Sequence, residues 1–226
     1  MSSDYVLPRK PIPSEEYSDL LDAYKEMHKE AGYFKGISLV PFISMIKELL
    51  ETHDCKTLMD YGCGKGLLYT DRYKEVSTKI KEVGISDNLV NIWKLEDLHL
   101  YDPAYPEHNK LPTNKYDAII CTDVLEHIPA TDLSWVVEEI LSFGKKIVFI
   151  NVCSQAAAKA IPVGKYKGRN VHVSLFNMEW WLKTVRDVWK HNYKHLKVFI
   201  TCSNKDKHIE GYILHREKEN AIKPTT

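Results

Sequence analysis

The sequence predicts an α/β domain built on a mostly parallel β-sheet. Three observations support this: short apolar runs alternate with amphipathic helical stretches, a glycine-rich turn follows the first run, and two further runs at the C-terminus flank a polar turn. Alternating strands and helices favour a parallel sheet, because parallel strands need a crossover connection that a helix provides. Of the 226 residues, 44% are hydrophobic and 27% are charged, an ordinary balance for one domain with a short appendage.

The first 55 residues are predicted to form an N-terminal arm and two helices. Three prolines between residues 8 and 13 favour an extended arm up to about residue 16. Ser14 is a typical N-cap, and the two glutamates after it begin a first helix that ends near Gly32. A second amphipathic helix is expected over residues 41–53.

The core domain is predicted to span residues 56–218, with residues 219–226 as a flexible tail. Its first strand is KTLMDY, residues 56–61, and a helix is expected to begin at Leu67. Further strands and one crossover helix follow from apolar periodicity. The predicted strands cover residues 98–101, 116–121 and 146–152, and the crossover helix covers residues 131–141. The runs LKVFITC and GYILHRE flank the turn SNKDKHIE and predict an antiparallel hairpin.

Composition narrows the classes of function. The 31 Lys and Arg residues balance 31 Asp and Glu residues, so no global positive charge is available to hold a nucleic acid nonspecifically. The five cysteines stand singly, without metal-ligand spacing, and are predicted to be buried free thiols. No stretch has the pattern of a signal peptide or a membrane span. We therefore expect a cytoplasmic protein that requires neither a membrane nor a metal.

The most informative motif is DYGCGKG, residues 60–66. It lies where a strand passes into a predicted helix, and glycines at such a turn let a ligand approach bare backbone. The structural alternative is that the glycines serve tight packing of strand against helix. The motif differs from the GxGxxG of dinucleotide-binding domains and lacks the GK[ST] of phosphate-binding loops, so both of those interpretations are disfavoured.

Together with a second motif, CTDVLEHIP at residues 121–129, this segment resembles the class I S-adenosylmethionine-dependent methyltransferases. The resemblance covers about residues 56–153 and implies a Rossmann-like, doubly wound sheet with S-adenosyl-L-methionine as the cofactor. It implies that the glycine turn holds the methionine part of the cofactor and that the second motif borders both cofactor and methyl acceptor. The residues implied at the cofactor are Asp60, Tyr61, Gly62, Cys63, Gly64, Gly66, Asp123, Val124 and Leu125.

The family also places an acidic residue at the end of its second strand, where the carboxylate binds the ribose hydroxyls. Asp102 is the favoured candidate because the apolar strand LHLY precedes it, whereas Asp87 follows a poorer strand at the more common spacing. Only a short polar stretch separates Asp102 from the next strand, so the family's third-strand region is predicted to be shortened. Tyr101, Tyr105 or His108 would then border the adenine, unless these side chains only pack.

Two histidines are candidate catalytic residues. His127 belongs to the second motif, and His172 lies in GRNVHVSLFNMEWW, which resembles the acceptor-side segment of the family. If the acceptor is a hydroxyl, one of them is predicted to act as a general base, with activity rising through roughly pH 6 to 7. A purely structural role is the alternative for His127. From periodicity alone, VHVSLF predicts an edge strand, and the tryptophans after it predict core packing.

The segment YFKGISL resembles the leader of phage and bacterial methyltransferases of unassigned substrate. This resemblance implies that the N-terminal helices cover the cofactor cleft, with Tyr33, Phe34, Gly36 and Ser38 at the turn of the cover; a plain connecting loop is the alternative. We expect an S-adenosylmethionine-dependent methyltransferase that acts on a small molecule. A nucleic-acid methyltransferase and a scaffold or regulatory protein that binds the cofactor without turnover stay open as alternatives.

Overall fold

The computed structural model describes residues 12–76, 80, 84–203, 209–215 and 220–222. The strands are β1 (Thr57–Tyr61), β2 (Asp97–Tyr101), β3 (Tyr116–Thr122), β4 (Gly144–Cys153), β5 (Lys197–Ser203), β6 (Ile209–Leu214) and β7 (Asn220–Ile222). The α-helices are α1 (Glu15–His28), α2 (Ile43–Thr52), α3 (Leu89–Trp93), α4 (Leu133–Ser142) and α5 (Met178–Asn192). Short 3-10 helices cover Ile37–Phe42, Leu67–Tyr69, Asp71–Glu75 and Leu125–His127.

All of these strands belong to one sheet in the order β2-β1-β3-β4-β5-β6-β7. Strands β1 to β5 pair in parallel, whereas β6 is antiparallel to β5, and β7 is antiparallel to β6. The mostly parallel sheet and its C-terminal antiparallel hairpin are thus confirmed, although the turn at residues 204–208 lies outside the described residues. Within the described chain no strand pairs with the outer side of β2, which confirms the shortened third-strand region.

The sheet carries a packed core on each face, because successive residues of a strand point to opposite sides. In β3, Ile119 and Cys121 pack with α4 and α5 on one face. Ala118 and Ile120 pack with α2 and α3 on the other. Trp181 of α5 is fully buried in the first of these cores, as the packing interpretation predicts. Helices on both faces make the sheet doubly wound.

The two N-terminal helices have different positions. α1 begins at Ser14, whose hydroxyl accepts a backbone N–H and confirms the predicted N-cap. The apolar side of α1 packs in a third, smaller core with Ala104, Ile161 and Val171. α2 packs against the sheet itself through residues such as Ile46, because its apolar stripe meets the apolar face of the strands. The predicted two-helix cover is therefore reduced to α1 and the loop that follows it.

The helix predicted to begin at Leu67 is not formed as such. Two 3-10 helices follow the glycine turn instead. The break comes from Thr70, which is extended at φ −123° and ψ 173° and whose hydroxyl accepts the N–H of Arg72 to start a new turn. A side chain that caps a new helical turn competes with continuation of the old one.

The edge strand predicted from VHVSLF is also absent. The N–H groups of Val173 and Ser174 both donate to the carbonyl oxygen of Glu126, in the loop after β3. The backbone of residues 171–176 therefore fastens this segment to that loop rather than to a neighbouring strand. The alternating hydrophobicity of the segment indicates a pattern of side-chain burial, but it does not indicate which groups the backbone binds.

The chain ends differ from expectation in one respect: residues 220–222, placed in the predicted tail, form β7. The arm up to residue 11 and the rest of the tail lie outside the described residues. All five cysteines are free, and four of them are buried, with Cys153 partly exposed. Of the helices in the described part of the chain, none combines the length and the apolar character that crossing a membrane requires.

Candidate functional site

A cavity of about 390 Å³ lies at the carboxyl ends of β1, β2 and β3. Open α/β sheets bind their ligands at this edge. Residues of α1 and of the cover loop, residues 30–38, also line the cavity. The predicted residues that line it are Asp60, Tyr61, Gly62, Cys63, Gly64, Gly66, Asp102, Asp123, Val124, His127 and His172. Leu125 does not line it, because its side chain is fully buried in the core.

The glycine turn crosses the end of β1 with its three glycines in the left-handed region. The φ angle is 85° at Gly62, 59° at Gly64 and 60° at Gly66. A Cβ atom at Gly62 would lie 2.2 Å from Val124, and one at Gly64 would lie 2.5 Å from the carbonyl oxygen of Phe34. The backbone conformation and the contacts within the protein therefore both require glycine here. The glycines serve tight packing, as the structural alternative proposes, and the turn that they form also lines the cavity.

Asp102 directly follows β2, and its carboxylate fixes the position of the glycine turn. Its Oδ2 accepts the N–H of Gly64 at 3.1 Å, and its Oδ1 accepts the N–H of Ala104 at 2.9 Å. Nε2 of His28, from α1, lies 3.5 Å from Oδ2. A carboxylate has about four acceptor positions, so Asp102 retains capacity for ligand hydroxyls. Asp87 does not line the cavity; its carboxylate accepts hydrogen bonds near the start of α3.

Asp60 lies in β1 beneath the glycine turn and is 4% exposed. Burial raises the pKa of Asp60 to about 7, even though a 2.7 Å hydrogen bond from the Tyr69 hydroxyl opposes the shift. The negative charge of Asp102 raises this pKa further. The ionised form of the Asp60 carboxyl is thus disfavoured by the fold, because a buried charge loses its hydration.

The cover loop is hydrogen-bonded to both predicted cofactor motifs. The carbonyl oxygen of Phe34 accepts the N–H of Lys65 at 2.9 Å, and the carbonyl of Glu30 accepts the Lys65 ammonium at 2.6 Å. Phe34 has a φ of 54°, a conformation uncommon outside glycine. The hydroxyl of Ser38 donates to Asp123 Oδ2 at 2.6 Å. The loop is therefore joined by hydrogen bonds to both motifs at the cavity wall.

The three aromatic candidates for adenine contact lie outside the cavity wall. Tyr101 is buried in the core, at 3% exposure. Tyr105 stacks on His28 at a centroid distance of 4.9 Å, and Phe34 stacks on the same ring at 4.3 Å. His108 packs against Tyr105. These aromatic side chains support α1 and the loop after β2, as the packing alternative predicts.

The two candidate catalytic histidines are neighbours, with ring centroids 4.8 Å apart and planes at 89°. Nδ1 of His127 lies 3.0 Å from the carbonyl oxygen of Val171, and Nδ1 of His172 lies 2.6 Å from that of Gln155. Because a carbonyl oxygen only accepts, each Nδ1 carries the ring proton and each Nε2 keeps its lone pair. The hydroxyl of Tyr24 also lies 3.1 Å from Nδ1 of His127.

Burial lowers the pKa of His127 to about 4, although the charge of Asp123 opposes the shift. The ring is therefore neutral at neutral pH, and a base role for His127 would place the rise in activity below the pH 6 to 7 expected of an ordinary histidine. Burial raises the pKa of Asp123, but His127, the Ser38 hydrogen bond and His172 together lower it below its ordinary value. The cluster thus combines a carboxylate with a neutral imidazole.

The sequence indicated that the N-terminal helices cover the cleft, but it did not identify which residues of α1 line the cavity. Tyr17, Leu21, Tyr24 and Met27 line it, together with residues 157–159 after β4. The helical residues have the spacing of any amphipathic helix, which does not say what surface the apolar side meets. Residues 157–159 carry no recognisable motif, so only the folded chain reveals their position.

The sheet order and the cavity at the carboxyl ends of its strands define a Rossmann-like fold. A family model described as a methyltransferase domain matches residues 25–187, and the chain belongs to this family. The match includes both motifs, residues 60–66 and 121–129, and confirms the resemblance that they carry. The comparison with curated proteins gives no match.

Proposed function

We propose that this protein transfers the methyl group of S-adenosyl-L-methionine to a small-molecule acceptor. The hydrogen bond from the Gly64 N–H to Asp102 Oδ2, at 3.1 Å, carries the proposal. It joins the two elements expected to bind the cofactor, the glycine turn and the carboxylate after β2, in the wall of one cavity. Membership of the methyltransferase-domain family supports methyl transfer as the reaction.

The residues of the cavity fit this cofactor. A volume of about 390 Å³ is within the range of small-molecule sites, roughly 300–1,000 Å³. The glycine turn would hold the amino-acid part, and Asp102 would accept hydrogen bonds from the ribose hydroxyls. The bound cofactor would supply a methyl group activated by a positively charged sulfur. The protein then has mainly to align the acceptor and exclude water, and α1 with the cover loop serves both purposes.

A small acceptor is favoured because residues of α1 and the cover loop line the cavity together with the strand ends and because the 31 basic residues are balanced by 31 acidic ones. Binding without turnover is the competing function. Purified protein incubated with labelled cofactor and a small-molecule extract of the host cell separates the two. Release of S-adenosylhomocysteine supports transfer, whereas binding without release supports the scaffold role.

S-adenosylhomocysteine is expected to bind with micromolar affinity, as measured by calorimetry. Asp102→Ala should weaken this binding by about 1 to 3 kcal/mol, because charge-assisted hydrogen bonds to the ligand are lost. Asp87→Ala is a matched control, since it also removes local hydrogen bonds but lies outside the cavity; its affinity should equal that of the parent. The reverse pattern would transfer the ribose assignment to Asp87.

Ligand binding is expected to slow amide hydrogen exchange over residues 17–40. This segment comprises most of α1 and the cover loop; it forms part of the cavity wall and is joined to the glycine turn by the Phe34–Lys65 hydrogen bond. A bound ligand should reduce its opening. Mass spectrometry with and without S-adenosylhomocysteine provides the measurement, with residues 178–192 of α5 as the internal reference. Equal exchange of residues 17–40 in both samples would leave α1 a structural role alone.

A further inference from the structure

Asp123, His127 and His172 form a compact group of potential metal ligands. Each offers one ligand atom, and the three atoms all lie within 4.8 Å of one another. All three residues line the cavity. We propose that this group binds a divalent transition-metal ion in the wall of the cavity. Two histidines and one carboxylate are a recurrent ligand set for Fe²⁺ and related ions, and they leave coordination positions open.

The orientation of both histidine rings supports the proposal. Their Nδ1 atoms are engaged by the carbonyl oxygens of Val171 and Gln155. Metal-binding histidines commonly donate one ring N–H to a backbone carbonyl, which fixes the tautomer and directs the other nitrogen to the ion. The described chain shows no hydrogen bond to Nε2 of either ring. Nε2 of His172 points towards Asp123 Oδ1, 3.9 Å away, which is too far for a hydrogen bond.

The carboxylate of Asp123 is held in place from two directions. Its backbone has a φ of 60° and donates its N–H to the carbonyl of Asn151. Ser38 holds Oδ2, which leaves Oδ1 on the side of His172. Ligand atoms about 2.1 Å from a common ion lie about 3.0 to 3.4 Å apart, so the 3.9 Å between His172 Nε2 and Asp123 Oδ1 has to close by less than about 1 Å. The other separations in the group are at most 4.8 Å and have to close by at most about 1.8 Å.

A buried carboxyl group beside the three residues is a second observation. Glu126 is fully buried; its Oε1 accepts the N–H of Cys153, and its side chain lies against the carboxyl group of Asp123. Glu126, Cys153 and His172 form an overlapping group whose ligand atoms also lie within 4.8 Å. Two buried carboxyl groups side by side favour a cation between or beside them, and an ion held by Asp123 would lie next to Glu126. We assign the ion to the Asp123 group, because the Cys153 thiol already bonds the Gln155 carbonyl.

The position of the ion suggests the class of acceptor, an inference that rests on the proposed methyl transfer. Three protein ligands leave open coordination positions towards the cavity. Oxygen ligands fill such positions, and coordination lowers the pKa of a hydroxyl. A hydroxylated small molecule would therefore fit this site better than an amine. His127 and His172 would then orient the acceptor through the ion instead of acting as a general base.

Co²⁺ is the probe, because its visible absorption reports coordination without any enzymatic assay. The parent protein, freed of metal by chelation, should bind one equivalent of Co²⁺ and develop absorption bands of a four- to six-coordinate nitrogen–oxygen site. His172→Gln and Asp123→Asn should each weaken binding by more than about 100-fold, since loss of outer partners alone costs 10- to 100-fold. Asn tolerates the left-handed backbone of position 123, so the second variant should fold.

His191→Gln is the matched control, because His191 is exposed at the end of α5. It should bind Co²⁺ like the parent. Absence of stoichiometric binding to the parent would overturn the proposal, and so would equal binding by the parent and the two ligand variants. Calorimetry with S-adenosylhomocysteine on parent and His172→Gln keeps the two proposals apart. Binding of S-adenosylhomocysteine without binding of Co²⁺ refutes only the metal site, whereas binding of Co²⁺ without binding of S-adenosylhomocysteine refutes the proposed function.

Discussion

Gly64→Ala is expected to weaken the binding of S-adenosylhomocysteine by more than about 100-fold, or about 2.7 kcal/mol. The added Cβ would lie 2.5 Å from the carbonyl oxygen of Phe34, a contact that a backbone atom cannot relieve without moving the cover loop. Moving the loop breaks the Phe34–Lys65 hydrogen bond, and shifting the turn instead breaks the bond from Gly64 to Asp102. Either movement disturbs the elements proposed to bind the cofactor, and calorimetry measures the loss.

Gly84→Ala provides the control for backbone strain. Gly84 also has a positive φ, 74°, but a Cβ there would meet nothing within 4 Å. Both variants should lose about 1 to 2 kcal/mol of stability from the left-handed conformation. Only the Gly64 variant should lose affinity. Similar affinities for the two variants and the parent would show that the turn has no part in binding the ligand.

Asp60→Asn is expected to remove a pH-dependent loss of stability. The folded-state pKa of Asp60, about 7, is raised above its ordinary value, so the folded protein binds the proton more tightly than the unfolded chain does. The stabilisation that this proton provides is complete below about pH 4 and is lost as the pH rises through 7. An asparagine keeps an acceptor for the Tyr69 hydroxyl without carrying a charge.

The measurement is the free energy of unfolding in urea for parent and Asp60→Asn at several pH values. The difference, variant minus parent, should increase by about 2 to 3 kcal/mol between pH 5 and pH 8. Comparing differences removes the contributions of other titrating groups and any constant cost of the substitution. A difference that stays flat over this range would mean that Asp60 ionises readily in the folded protein.

The sheet could be predicted because its strands are apolar on both faces and stand out in the sequence, as residues 116–121 and 146–152 do. The position of α2 could not be predicted, since an amphipathic stripe shows that one side is buried but not against which surface. The 3-10 helices after the glycine turn depend on Thr70, whose capping hydrogen bond competes with continuation of the first helix. Hydrophobic periodicity does not indicate such a hydrogen bond.

In the candidate site, the sequence motifs predicted which segments line the cavity but not the surroundings of each side chain. The glycine turn, Asp102 and the pair of histidines line the cavity as the motifs indicated. Leu125 does not line the cavity, because its side chain is buried in the core. A sequence motif shows which residues are close along the chain but not where each side chain points. The low pKa of His127 and the contribution of Tyr24 arise from burial between α1 and residues 171–172, segments far apart in the sequence.

The hydrogen bonds of the cover loop bear on how long a ligand would stay rather than on how tightly it would be held. The glycine turn and Asp102 line the cavity and are the parts of the protein proposed to contact the cofactor. Lys65 joins the turn to the loop through its hydrogen bonds to the carbonyl oxygens of Phe34 and Glu30. Under the proposed function, affinity would depend on the turn and Asp102, whereas residence time would depend on the rate at which the loop opens. Lys65 and Glu30 do not line the cavity, so product release could be tuned through residues that do not contact the product.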